Sequence, residues 1–264
     1  MNHHPCVDVI VPVFNSRNTI KAALQSVIAQ HGCLVRKIIV VDDGSIDGTA
    51  NVIQDLNNPL VQLISTPNRG VARARNLAIS QANAEWIAFL DADDVWTPNK
   101  LQVQLAAART HGAGFVCASV SARSAIPAGR ISPSMLTRGN FIATSSVLVK
   151  RNILCMNCPV FLPGMTFSED YLAWLKCLTL TPGYYLSNNL VNYSLSRYPR
   201  YRWTQILLCM VTLNLHYFMF LQSSGINWPQ RFKLIVAVLL GSSRSLLSVV
   251  KRFISSYTLH QASQ

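Results

Sequence analysis

Acid is missing from the entire end of this chain. Eleven of its 264 residues are Asp or Glu and none lies beyond Asp170, whereas nine of the 23 Lys and Arg do. The net charge of +12 therefore belongs mostly to the last third, and such asymmetry suggests an anionic partner, either nucleic acid or the cytoplasmic face of a membrane. Charge as a whole is also scarce, at 13% of residues, about half the share usual in a soluble domain. No cysteine framework exists: seven cysteines, an odd number, are scattered, and Cys155 with Cys158 has no second pair to complete a zinc site. This excludes a disulfide scaffold and points to the cytoplasm. The N-terminal stretch MNHHPCVDVIVPVF lacks a charged leader and a small-residue cleavage site, and Asp8 and Pro12 interrupt its apolar run, so it reads as a first strand and not a signal peptide. No Gly-x-Gly-x-x-Gly follows that strand and Gly-Lys-Ser or Gly-Lys-Thr occurs nowhere. The usual dinucleotide and P-loop phosphate cradles are thereby excluded.

What the chain does have is a sharp boundary in the stretch EWIAFLDADDVW, residues 85 to 96, where an apolar run ends in Asp91, Asp93 and Asp94. Trp86 to Leu90 is too short for a capped helix and reads as a buried strand of an α/β sheet. Ligands of open α/β sheets sit outside the carboxyl ends of the strands, and side chains two apart on extended chain point the same way, so Asp91 and Asp93 can converge. Two converging carboxylates suit a hard divalent cation shared with substrate phosphates. The alternative is that these acids merely cap the next helix. Thr97 followed by Pro98 supplies a cap and a first-turn proline for a helix over 99–111, which leaves the acids without a structural task.

The rest of the first half alternates strand and helix. Strands are predicted at Val7 to Phe14, Lys37 to Val41 and Leu60 to Ser65, and helices after Ser16, at Ala50 to Leu56 and at Val71 to Ala82. Regular alternation argues a mostly parallel, Rossmann-like sheet flanked by helices. The second strand also ends in acid, at Asp42 and Asp43, and two acidic clusters at carboxyl ends of one sheet are most simply explained by one shared ligand. With no glycine-rich cradle available, metal and arginine must hold its phosphate. Residues 119 to 139, rich in Ser, Ala, Pro and Arg without periodicity, read as a loop, either flanking an acceptor site or a plain surface excursion. Asn140, Ser145 and Ser146 fit acceptor-side residues and strand-edge polarity equally well.

The series VDVIVPVFN, KIIVVDDGSIDGT, NRGVARARN and AEWIAFLDADDVWTPNKL resembles the N-terminal half of the inverting family 2 glycosyltransferases of GT-A fold. A weaker likeness continues through RGNFIATSSVLVKR and FSEDYLAWLKCL, to about residue 195. The resemblance implies that Pro12, Val13, Asn15, Asp42 and Asp43 hold the base and ribose of a nucleotide sugar, with Asn68 and Arg75 near its diphosphate. It implies that Asp91 faces the ribose or a metal, and that Asp93, in the Asp-x-Asp motif, binds Mg2+ or Mn2+. Asp170 matches the position of the general base that deprotonates the acceptor hydroxyl. Read from local sequence alone, Ser168 with Glu169 and Asp170 is equally a capped helix start.

Two departures qualify the likeness. Many relatives complete the metal site with a His in a Tyr-Arg-x-His stretch, and here the comparable segment reads Tyr193 to Arg197 without one. Processive synthases carry Gln-x-x-Arg-Trp, whereas Pro199 stands in the Gln position before Arg202 and Trp203. The expected plan is a GT-A domain over 1–195, with a donor half at 1–118 and an acceptor half at 119–195, followed by a basic, apolar helical tail at 196–264. The expected activity is inverting transfer of one sugar, from a UDP-linked donor to a glycan or lipid-linked acceptor of surface polysaccharide synthesis. No nucleic-acid partner is implied. A sugar nucleotidyltransferase is the rival enzyme, disfavoured because Pro12 to Arg17 supplies neither a glycine-rich loop nor a lysine, and a degenerate nucleotide-sugar binder is the non-enzymatic rival. In the tail, Lys233, Arg244 and Lys251 form one helical stripe opposite apolar residues, so Phe232 to Ile254 either lies on the inner membrane surface or packs on the domain. Trp203 to Leu221 is the better spanning candidate, yet Gln205, Thr212 and His216 share one face, which fits a half-buried helix better than a lone span.

Overall fold

The computed structural model describes residues 6–32, 34–120, 126–136, 140–156, 158–165, 169–194 and 217–221. In chain order the first half forms β1 (Val7–Val13), α1 (Ile20–Ile28), β2 (Val35–Asp42), α2 (Thr49–Asp55), β3 (Val61–Ser65), α3 (Val71–Gln81), β4 (Trp86–Phe89), β5 (Val95–Trp96) and α4 (Lys100–His111). The second half adds β6 (Phe115–Ser119), β7 (Gly129–Ile131), α5 (Pro133–Leu136), a 3₁₀ turn (Thr144–Ser146), β8 (Leu148–Lys150), α6 (Arg151–Cys155), α7 (Glu169–Leu180), β9 (Gly183–Asn189) and β10 (Val191–Asn192). The main sheet runs β3-β2-β1-β4-β8-β6-β9-β7, and β5 pairs with β10 separately. Strands β3, β2, β1 and β4 are mutually parallel, so their carboxyl ends open on one side, while β8 enters antiparallel between β4 and β6.

Every residue of β1 and β4 is buried, which is why both read as unbroken apolar runs: helices cover both faces of the sheet. The pleat then sorts alternate residues into two cores. Ile10, Ile39, Ile87 and Phe89 face one layer with α3 and α7, whereas Val9, Val11, Ile38, Val40 and Leu90 face the other with α1 and α4. The first layer centres on Trp174, fully buried, whose ring lies 5.5 to 5.7 Å from those of Phe89, Phe115 and Phe161 in tilted or edge-on contact.

Several local expectations are corrected. Thr97 does not cap α4: its hydroxyl faces Leu190 O and Asn99 Oδ1, and the helix begins at Lys100 without a side-chain cap. Ser16 likewise returns its hydroxyl to Phe14 O, and α1 starts only at Ile20. The stretch 119–139 is not one loop, for β7 pairs antiparallel with β9 and α5 packs on α7. Phe232 to Ile254 and Ser168 lie outside the described residues, as does most of Trp203 to Leu221. Its described part, 217–221, is helical and sits on α7, with Tyr217 buried and its hydroxyl 2.9 Å from Thr179 Oγ1. Among the described residues no helix is long and apolar enough to cross a membrane.

Candidate active site

The loops that leave β1, β2 and β3 at their carboxyl ends are knitted together by their own polar groups. Asp42, buried at the end of β2, accepts a hydrogen bond from Ser45 N at 2.9 Å. Asp43 accepts from Arg69 N and Gly70 N, one on each carboxylate oxygen and both at 2.8 Å, so it pins the loop that opens α3. Asn15 adopts a left-handed conformation, φ 47°, in which its Oδ1 accepts from Ile46 N at 3.0 Å and its own N donates to Ser45 Oγ at 2.9 Å. Gly44, at φ 81°, is required where it stands, since a Cβ there would lie 2.8 Å from Asn68 N. These ties leave a pocket of about 240 Å³ lined by Pro12, Val13, Phe14, Asp43, Asn68 and Val71. Four of these are expected nucleotide-binding residues. Phe14 and Val71 lie outside the expected set, and 44% of the Phe14 surface is exposed.

Beside this pocket, Asp91 follows β4. Arg75 reaches it from α3, its Nη2 donating to Asp91 Oδ1 at 2.8 Å while its Nη1 donates to Glu169 Oε1, also at 2.8 Å. The guanidinium is buried and lies 5.2 Å from the centre of the Phe161 ring, a ring whose backbone is itself held at both N and O by the Asn76 amide. Its Nε–H has no hydrogen-bond partner among the described residues. Burial alone would lower the guanidinium pKa, but Asp91 and Glu169 outweigh it and the pKa is raised above its ordinary value. Arg75 thus spends its charge on two carboxylates from opposite halves of the chain, a pairing that no local sequence signal reveals. Asp93 is half-buried on the turn after Asp91. The third acid does have a structural task after all: buried Asp94 accepts from Ser145 Oγ at 2.5 Å and from Ser194 N at 2.8 Å. Burial pushes its pKa up to about 6, against the pull of those two donors.

Asp170, in the first turn of α7, is carried to the same place by its neighbour Glu169. Tyr171 N donates to its Oδ1 at 2.7 Å, Thr144 Oγ1 lies 3.3 Å from Oδ2, and Asn140 Nδ2 lies 3.3 Å from both oxygens. Burial, joined by the charge of Glu169, pushes its pKa up to about 7, while Arg75 and the Tyr171 N–H pull the other way. A carboxylate poised there suits a general base at neutral pH. Of the open acceptor-side candidates, Asn140 is exposed and touches Asp170, whereas Ser145 and Ser146 are wholly buried. Among the described residues no three His, Cys, Asp or Glu side chains converge on one point.

This arrangement has counterparts among known proteins. A family model described as glycosyl transferase family 2 matches residues 8–164. Over 180 residues, 65% of this chain and 69% of the other, the sequence is 29% identical to the Escherichia coli UDP-Glc:alpha-D-GlcNAc-diphosphoundecaprenol beta-1,3-glucosyltransferase WfgD. Its fold is similar to that of S. aureus TarS 1-349 in complex with UDP-GlcNAc, with a TM-score of 0.75 at 19% identity over 89% of this chain and 71% of that one. The mannosyltransferase PcManGT from Pyrobaculum calidifontis, in complex with GDP-Man and Mn2+, gives a TM-score of 0.64 at 17% identity over 99% and 81%. A sheet with its acids gathered at the carboxyl ends and a family match across most of that sheet lead to one conclusion: the chain belongs to glycosyl transferase family 2 and has the GT-A fold.

Proposed function

We propose that this glycosyltransferase moves a single sugar from a UDP-linked donor to a hydroxyl of a glycan or lipid-linked acceptor with inversion, in surface polysaccharide synthesis. The observation that carries this reading is the Arg75 bridge, which places the Glu169–Asp170 turn against Asp91, and so sets a basic carboxylate beside the donor carboxylates. The UDP-Glc donor and diphosphoundecaprenol-linked acceptor in the name of the E. coli relative support the substrate classes.

In the proposed reaction the pocket of Pro12, Val13 and Asp43 receives the base and ribose, with Asn68 near the diphosphate and Asn15 and Asp42 keeping its loops in shape. Asp170 takes the proton of the acceptor hydroxyl, whose oxygen attacks the anomeric carbon as the bond to the nucleoside diphosphate breaks on the opposite face. Arg75 presets Asp91 and reduces the negative charge that surrounds the base. The donor set fits Mg2+ or Mn2+, because such ions take one or two protein carboxylates and fill their remaining positions with phosphate oxygens and water. Asp93 and Asp91 are the residues that would hold the ion. Bound there, it would neutralise charge developing on the leaving diphosphate.

The test is UDP release from UDP-glucose and UDP-N-acetylglucosamine, with and without Mn2+. Wild-type release should require metal, Asp93→Asn should lose most activity, and Asp170→Asn should bind donor normally yet turn over roughly two to four orders of magnitude more slowly. Near wild-type turnover by Asp93→Asn at saturating donor would refute the metal assignment, and lost donor binding in Asp170→Asn would refute the base.

A further inference from the structure

Three hydroxyl side chains in a row, Thr144, Ser145 and Ser146, are at most 5% exposed. Burying hydroxyls is unfavourable unless each finds a partner, and here each does. Ser146 Oγ donates to Ala143 O at 2.7 Å, which simply closes the turn. The other two reach out of it. Ser145 Oγ donates to Asp94 Oδ2 and accepts from Asp91 N at 2.9 Å, and Thr144 Oγ1 donates to Asp170 Oδ2 at 3.3 Å. One turn therefore contacts the segment that bears the donor-side acids and also the carboxylate assigned as base.

The turn is equally fixed from beneath. Trp96 Nε1 donates to Ser145 O at 2.9 Å, and Gln104 Nε2 donates to Ser146 O at 2.7 Å. Gln104 is in turn oriented by Lys100, whose Nζ donates to Gln104 Oε1 at 2.7 Å and lies 3.8 Å from the centre of the Trp96 ring. Lys100 and Gln104 are wholly buried on α4, and no carboxylate pairs with this lysine among the described residues. A buried amine without a counter-ion is hard to justify by stability alone. It is intelligible as the far end of a polar support whose near end is the turn. The turn also borders β4 directly, since Phe89 N donates to Val147 O at 3.3 Å.

We propose that Thr144 and Ser145 are positioning residues: Thr144 aims the Asp170 carboxylate and Ser145 sets the backbone of Asp91, so that this single supported turn fixes the spacing between base and donor. This rests on the functional reading above. Neither residue touches the reacting atoms in this scheme. The two should fail differently, because one governs the step at the acceptor hydroxyl and the other the seating of the donor.

The experiment uses the full chain, with UDP released from UDP-glucose and UDP-N-acetylglucosamine in Mn2+ as the signal, water standing in for the acceptor hydroxyl. Thr144→Val keeps the shape and removes the hydroxyl, and Thr144→Ser keeps the hydroxyl. Misplacing a reacting group by an ångström costs up to about 100-fold, so Thr144→Val should lower kcat by roughly 10- to 100-fold at unchanged donor KM, with Thr144→Ser restoring most of it. Ser145→Ala should instead raise donor KM. Should Thr144→Val fail to fold, the Ser145→Ala split between KM and kcat decides the matter alone. Equal kcat in Thr144→Val and Thr144→Ser, or losses in all variants that merely follow lowered melting temperatures, would overturn the inference while leaving the glycosyltransferase reading intact. Absence of UDP release by wild-type protein from either donor would remove both.

Discussion

Replacing Arg75 with Met tests the central bridge with little change of volume. The Arg75 side chain is 5% exposed and Glu169 14%, so removing the guanidinium strands a carboxylate in a nearly dry site. Breaking a buried pair from one side costs about 3–5 kcal/mol. Asp91 is 30% exposed and water can relieve its share, which sets the expectation at the lower end, about 3 kcal/mol. A domain of this size loses roughly 2–4 °C of melting temperature per kcal/mol, so Arg75→Met should melt roughly 6–12 °C below wild type. Adding Glu169→Gln should recover part of that loss, because the stranded group is then neutral. Arg75 also pulls down the pKa of Asp170 from the high value that burial sets, so the acidic limb of the pH–rate profile should move up from about 7 in the variant. Thermal unfolding by circular dichroism and a pH series of UDP release measure the two effects. A variant melting within about 2 °C of wild type would mean that the bridge is worth no more than an exposed ion pair, and the reasoning would fall.

Other outcomes follow from the same geometry. Asp94 and Asp170 have folded pKa values of about 6 and about 7 against an ordinary 3.8, so the folded chain holds more protons than the unfolded one in that window, and stability should fall as pH rises through it. Lys100, whose pKa burial lowers, slopes the other way, and so the readable quantity is the difference between Asp170→Asn and wild type in denaturant titrations, which should increasingly favour the variant towards pH 8. Gly44→Ala forces a side chain into positive φ against Asn68 N, at an expected cost of about 1–3 kcal/mol and with a raised donor KM; unchanged KM would detach that loop from donor binding. The full chain should co-sediment with anionic liposomes at low salt and less so after Lys233, Arg244 and Lys251 are changed to Gln; equal sedimentation would end the surface-anchor reading.

Strands β1, β2 and β4 were legible to within about two residues because burial on both faces leaves an unbroken apolar run, a signal that survives without neighbours. The acids that follow β2 and β4 were legible for the same reason, since charge abutting such a run stands out. Strands β7 and β8, three residues each, were not: pairing with β9, β4 and β6 makes them strands, and nothing within three residues announces it. The capping rule failed at Thr97 because its hydroxyl had a partner 93 residues away, at Leu190. Asp94 looked surplus because its partners lie 51 and 100 residues on, at Ser145 and Ser194. Arg75 was expected near the diphosphate, whereas its guanidinium bridges Asp91 and Glu169, and the second carboxylate comes from α7. Local rules describe ends and faces of elements, and a site assembled between halves is decided elsewhere.

The separation of Arg75 from Glu169, 94 residues along the chain, carries a consequence for synthesis. A ribosome delivers the donor pocket first, and β1 to α4 can gather while α7 has yet to be made. In that interval Arg75 has Asp91 alone, and the hollow destined for Trp174 stands open beside Phe89 and Phe115. The nascent first half is therefore an incomplete body with an apolar wall and a half-answered charge. Arrival of α7 closes the wall and answers the charge in one event. The same helix thus completes the Trp174 core and the acid pair, while β9, which joins β6 to β7 in the sheet, is still to be made.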